Sequence, residues 1–145
     1  TALTPNIGEL ARFTHVEASK LDDPTELRKA AKSLVDRLEP QWLLVTRGNL
    51  GMALFGPDAE DGIAVEASGD GEVTDVTGAG DTAASVFALA LAARCDPAQA
   101  MVLANAAAGV VVMENGAAVC SPNELASALA QAPVAVRLAR SERRS

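Results

Sequence analysis

Apolar residues recur along this chain in two rhythms. From Pro24 to Leu38 they fall three and four apart, at Leu27, Ala30, Ala31, Leu34, Val35 and Leu38. Lys29, Lys32, Asp36 and Arg37 take the opposite face, so the spacing predicts an amphipathic helix. Asp23 stands at the cap, Pro24 at the first helical position and Glu26 at the third, and Pro40 stops the run. Upstream, Pro5 disfavours helix before it and Asn6 caps a short helix over Ile7 to Leu10. Downstream the rhythm changes. Trp42-Leu43-Leu44-Val45-Thr46 is an unbroken apolar run of strand length, the pattern of a strand covered on both faces. Arg47 to Gly51 makes a turn and Met52-Ala53-Leu54-Phe55 returns as a second strand. After an acidic loop over 56–62, residues 63–67 form a third strand.

The second half is helical and rich in small residues. Residues 82–93 are almost wholly apolar, which predicts a helix buried all round. Asp96-Pro97 repeats the cap-then-proline pattern and opens a helix to about Met113, with Gly116 as its C-terminal cap. Ser121-Pro122-Asn123-Glu124 starts a last helix through about Gln131.

Between the halves lies Asp75-Val76-Thr77-Gly78-Ala79-Gly80-Asp81-Thr82. Two glycines around an alanine open onto a helix, so backbone N–H groups converge without side chains in the way. The first amides of a helix lack partners within it, and its dipole is positive at that end. A phosphate or a developing oxyanion fits such a place. Asp81 sits at its mouth, where a carboxylate can take a proton from an attacking hydroxyl. The plainer reading is a turn that starts a helix, capped by Asp75 or Asp81. Asn105, polar in the run Ala104-Asn105-Ala106-Ala107-Ala108-Gly109, needs a partner inside the core or on a ligand. His15 has no partner motif and reads as a surface histidine.

Composition narrows the class. The chain has 145 residues, 49% hydrophobic and 21% charged, which reads as a soluble globular domain over 1–133. Residues 134–145, with Arg137, Arg140, Arg143 and Arg144, read as a basic, flexible, solvated tail. A net charge of -7 argues against nucleic acid or an anionic membrane as partner. Cys95 and Cys120 lack metal-ligand spacing and make no disulfide framework, no apolar run is long enough to span a bilayer, and no signal-like start is seen. A cytoplasmic protein is expected.

Asp75-x-x-Gly78-Ala79-Gly80-Asp81-Thr82 resembles the second signature of the ribokinase-like (PfkB) carbohydrate kinases. It is not the P-loop, since no Gly-x-x-x-x-Gly-Lys-[Ser/Thr] string occurs. The resemblance implies a doubly wound α/β fold, with a mainly parallel sheet and helices on both faces. This chain would be its C-terminal portion, because family members run to about twice this length. It also implies ATP-dependent phosphoryl transfer to a sugar hydroxyl. Asp81 would be the catalytic base and Gly78, Ala79 and Gly80 the anion hole, with Asp75 associated with a monovalent cation such as K⁺. Thr46-x-Gly48-x-x-Gly51 matches the family element that lies against the nucleotide phosphates. Asn6 and Glu9 match its Asn-x-x-Glu motif, which helps place Mg²⁺, and Asn105 would lie beside the adenine or ribose. Within the family the chain most resembles the heptose 7-phosphate kinase branch of lipopolysaccharide inner-core synthesis. The residues behind that are Leu44-Val45-Thr46-Arg47, Gly51-Met52, 104–112 and Val119-x-Ser121-Pro122-x-Glu124-Leu125. The partners implied are ATP, a small sugar or sugar phosphate and a second copy in a homodimer. A kinase for another sugar or a nucleoside, or a non-catalytic nucleotide-binding module, stays open on these residues.

Overall fold

Both proline-led caps form. In the computed structural model, which describes residues 1–68, 78–113 and 119–138, Asp23 Oδ1 accepts from the amides of Thr25 and Glu26 at 2.9 and 3.1 Å. That starts α2 (Pro24–Leu38). Asn6 starts α1 (Ile7–Thr14). These helices connect β1 (Ala2–Leu3) to β2 (Trp42–Thr46), which lie parallel with Leu3 opposite Leu43. A parallel pair needs such a crossover, and the two helices supply it.

The link from β2 to β3 (Met52–Phe55) is only the turn 47–51, so this pair is antiparallel, with Thr46 opposite Met52 and Leu43 opposite Phe55. β4 (Ile63–Val65) pairs antiparallel with β5 (Val136–Arg137), and the sheet order is β1-β2-β3-β4-β5. This portion of the fold therefore carries a mixed sheet: the short hairpin and the returning end add antiparallel ladders to the parallel pair. β5 also draws part of the basic end, read from sequence as solvated, into the sheet. Residues 139–145 lie outside the described residues.

Two compact units result, Thr1–Ala64 with Val136–Ser145 and Val65–Ala135. In the first, Leu10, Leu21, Leu27, Ala31, Leu34, Leu43, Val45 and Phe55 form the core. Leu43, Leu44 and Val45 are each 0% exposed, so β2 has no solvent face. Arg28 Nε donates to the Asp61 carbonyl at 3.0 Å and holds the acidic loop against α2. The loop ends at Gly62, whose φ is +88°; a Cβ there would stand 2.7 Å from both Leu138 Cδ1 and Phe55 Cε1.

In the second unit α3 (Ala79–Ala92) packs along α4 (Pro97–Val112), and α4 against α5 (Pro122–Leu129). Asp96 caps α4 through the amides of Ala98 and Gln99, and Ser121 with Glu124 forms a capping box on α5. The prediction that the first of these helices is buried all round does not hold. Only Ala83 and Phe87 of α3 are buried, while Leu89 is 70% exposed. One neighbouring helix covers one stripe, and the rest of α3 is partly buried or exposed.

Candidate functional site

The signature turn meets its helix earlier than the hydrophobic run implies. α3 begins at Ala79, and Gly78 is its cap, with φ +84° and ψ -10°. That left-handed conformation is why the position is glycine. No side chain among the described residues caps the helix. The first hydrogen bond that closes the turn runs from Thr82 N to Gly78 O at 2.9 Å. The amides of Ala79, Gly80 and Asp81 stand before it, as first-turn amides without a partner in the helix. A Cβ on Gly78 or Gly80 would meet none of the other described residues within 4 Å, so these leave the space in front of the turn open. Asp81 is third in the helix and exposed, and its carboxylate bonds to no described residue. It is a carboxylate with no partner among the described residues, beside first-turn N–H donors that have none within the helix. Asp75, the candidate cap and cation residue, lies outside the described residues, as does the loop 114–118.

In the first unit, Thr46 ends β2, and Thr46 N donates to Pro5 O at 3.0 Å. An isolated parallel bridge joins Asn6 to Thr46. The Asn6-x-x-Glu9 and Thr46-x-Gly48-x-x-Gly51 elements are thus brought together, although about forty residues separate them in sequence. Arg47 N donates to Gly51 O at 2.8 Å and closes a tight turn around 3₁₀ residues Gly48–Leu50. Gly48 at φ +57°, and Gly51 at φ 78° and ψ -130°, are conformations that side chains disfavour. Gly48 has open space where a Cβ would be.

The Arg47 guanidinium turns to Asp22: its Nη2 donates to the Asp22 carbonyl at 3.3 Å, and its buried Nε has no partner among the described residues. Burial pushes the guanidinium pKa down, and the Asp22 carboxylate partly offsets that. Asn6 and Glu9 form a capping box: Asn6 Oδ1 accepts from Glu9 N, and Glu9 Oε2 from Asn6 N, both at 2.9 Å. Asn6 Nδ2 and Glu9 Oε1 take no part in it. Among the described residues no group of three or more His, Cys, Asp or Glu could hold a metal ion. One exposed carboxylate oxygen suits a hydrated Mg²⁺, which keeps most of its waters, better than a closed protein cage.

Asn105 is 3% exposed. Its Nδ2 donates to Glu66 O at 2.8 Å and to Ser68 Oγ at 2.9 Å. Only the amide nitrogen can serve a carbonyl, so the amide orientation is fixed and both its hydrogens are used. Sequence spacing could flag this amide as needing a partner but could not find Glu66 and Ser68. Nothing local marks a contact across so many residues.

The geometry can now be set beside known proteins. The model for "pfkB family carbohydrate kinase" matches residues 1–124. The chain belongs to the pfkB family. The bifunctional protein HldE of Methylococcus capsulatus is 46% identical over 129 residues, 89% of this chain and 26% of that protein. The HldE of Mesorhizobium japonicum is 43% identical, over 89% and 25%. The chain spans about a quarter of the length of the curated relatives it matches. Among solved structures, Arabidopsis thaliana ribokinase complexed with ribose and ATP is 28% identical with a TM-score of 0.77, covering 88% of this chain and 40% of that one. Escherichia coli phosphofructokinase-2 with potassium, 24% identical at a TM-score of 0.77 over 90% and 40%, shares the fold. The ribokinase-like α/β fold expected from the signature is therefore the fold of this pfkB chain. No helix among the described residues is long and apolar enough to cross a membrane.

Proposed function

We propose that this chain is part of an ATP-dependent sugar kinase that phosphorylates a heptose 7-phosphate at its anomeric hydroxyl. The observation that carries the reading is the start of α3: a left-handed Gly78, no side-chain cap among the described residues, and Asp81 exposed with no bond to any of them. Asp81 accepts the proton of the sugar hydroxyl as its oxygen attacks the γ-phosphorus. The bond from that phosphorus to the β–γ bridging oxygen breaks, and ADP leaves with the electron pair. The amides of Gly78, Ala79, Gly80 and Asp81 face the negative charge on the transferring group, and being fixed by the helix they need no rearrangement. Thr46 offers a hydroxyl to the nucleotide phosphates, and Gly48 and Gly51 let the backbone approach them. The family resemblance would set Asn105 beside the adenine or ribose, but both its amide hydrogens are already used within the chain, which leaves it only Oδ1. Glu9 Oε1 is assigned to the hydration shell of Mg²⁺, and Asn6 Nδ2, which can only donate, to a phosphate oxygen. That ion, when bound, neutralises phosphate charge. Asp75 with K⁺, the homodimer and the cytoplasmic setting belong to the same proposal. Heptose is favoured over other sugars by the likeness to the HldE proteins.

Two measurements test this. Calorimetric titration with a non-hydrolysable ATP analogue and Mg²⁺ is expected to show binding that Thr46→Val with Gly48→Ala removes; a chain that binds no analogue overturns its place on the nucleotide side. In the longer protein that carries these residues, Asp81→Asn is expected to lower turnover of heptose 7-phosphate by about 10²–10⁴ with the fold intact. Full activity in that variant would sink the base assignment.

A further inference from the structure

We infer that Asn105 and Gly109 act together as a clamp that positions the phosphate turn, rather than as contacts to a nucleotide. The inference rests on the kinase reading of the α3 start. The two residues are four apart on α4 and share a face. Asn105 bonds Glu66 O and Ser68 Oγ, as described. Gly109 is buried, and a Cβ there would stand 2.8 Å from Ser68 O and 2.9 Å from Ser68 Cβ. The backbone of Ser68 therefore occupies the groove that the missing side chain leaves, and Asn105 ties it there. The same helix packs along α3, whose first turn carries Gly78, Ala79, Gly80 and Asp81. One helix thus holds Ser68 and packs along the helix that Gly78 caps. Orphan amides aimed at developing charge work only if they do not move during the reaction, and an α4 tied at Ser68 and packed on α3 serves that end.

Gly109 has no polar group to offer a nucleotide. This separates positioning from direct contact. Asn105→Ala and Gly109→Ala are each expected to weaken binding of a non-hydrolysable ATP analogue about tenfold, and of a GTP analogue by the same factor. Ser68→Ala, which removes one of the two bonds, should give a smaller loss and guards against a variant that fails to fold. Amide hydrogen exchange supplies a readout independent of any nucleotide. Asn105→Ala should speed exchange both at 66–68 and at Thr82, whose amide closes the first turn of α3. Faster exchange at 66–68 with Thr82 unchanged would overturn the clamp. So would selective loss of the ATP analogue in Asn105→Ala alongside normal binding by Gly109→Ala, since that marks a base contact. If the parent chain binds neither analogue, the kinase reading fails, and exchange still decides whether the clamp reaches the turn.

Discussion

Gly80→Ala should pull stability and binding in opposite directions. Gly80 is the second residue of α3, it is exposed, and a Cβ built on it meets nothing within 4 Å. It is absent from the positive-φ glycines, so alanine adopts its backbone without strain. The substitution removes freedom from the unfolded chain and is expected to stabilise by about 0.4–1 kcal/mol, a rise of about 1–4 °C in Tm. The same methyl enters the open space in front of the first-turn amides. An oxygen accepting from those amides sits about 3 Å from nitrogen and would touch the new carbon. A loss of at least about tenfold in affinity for the ATP analogue is expected, or about 1.4 kcal/mol. Gly78→Ala is the control: its site is equally open but its φ is +84°, so it should destabilise by about 1–2 kcal/mol. Thermal unfolding by circular dichroism and calorimetric titration read both quantities. A more stable Gly80→Ala that binds as tightly as the parent would refute a phosphate at this turn. A less stable one would refute the unstrained helical backbone.

Further outcomes follow from other positions. Gly56→Ala drives a Cβ into Trp42 Cε3 and to 2.9 Å from Gln41 O, and should cost about 1–3 kcal/mol in urea unfolding. Asp23→Ala removes the acceptor for two first-turn amides of α2 and should cost about 1 kcal/mol in the same assay. The Glu124 carboxyl is held below the ordinary glutamate range by hydrogen bonds from the Ser121 hydroxyl and then the Ser121 amide, with a small opposing effect of burial. A depressed carboxyl contributes fully above its unfolded value and is lost as pH falls through the folded one. Acid titration should therefore loosen α5 at its start, followed by the amide resonance of Ser121, and Glu124→Gln should abolish that transition.

Local chemistry was legible wherever its partners are near in sequence. Asp23-Pro24, Asp96-Pro97 and the Ser121-x-x-Glu124 box act within three residues, and each forms as spacing predicts. Asn6 with Glu9 is likewise readable as a cap, while its bridge to Thr46 depends on β2 pairing beside β1. What spacing could not supply is where uniform or long-range features end. In α3 nearly every residue is small or apolar, so no face stands out from the sequence, and the exposed Leu89 was not distinguishable from the buried Phe87. Arg47 sits inside a phosphate-type element, yet its guanidinium turns to the Asp22 carbonyl, a contact set by the packing of the 3₁₀ residues Ala18–Asp22. Val136 looked like part of a frayed end because its strand partner, Ala64, lies at the other end of a unit that folds in between.

That last pairing bears on the order of folding. β5 is two residues long, and its partners in β4 lie roughly 70 residues earlier. Closing so long a loop from the open chain costs about 4 kcal/mol by chain statistics, more than two residues of ladder return. If Val65–Ala135 folds first, its helices take up most of that slack and the strand closes over a short remaining gap. β5 should thus be among the last elements to form and the first to open. Its amides would report early unfolding while α2 and β2 are still protected.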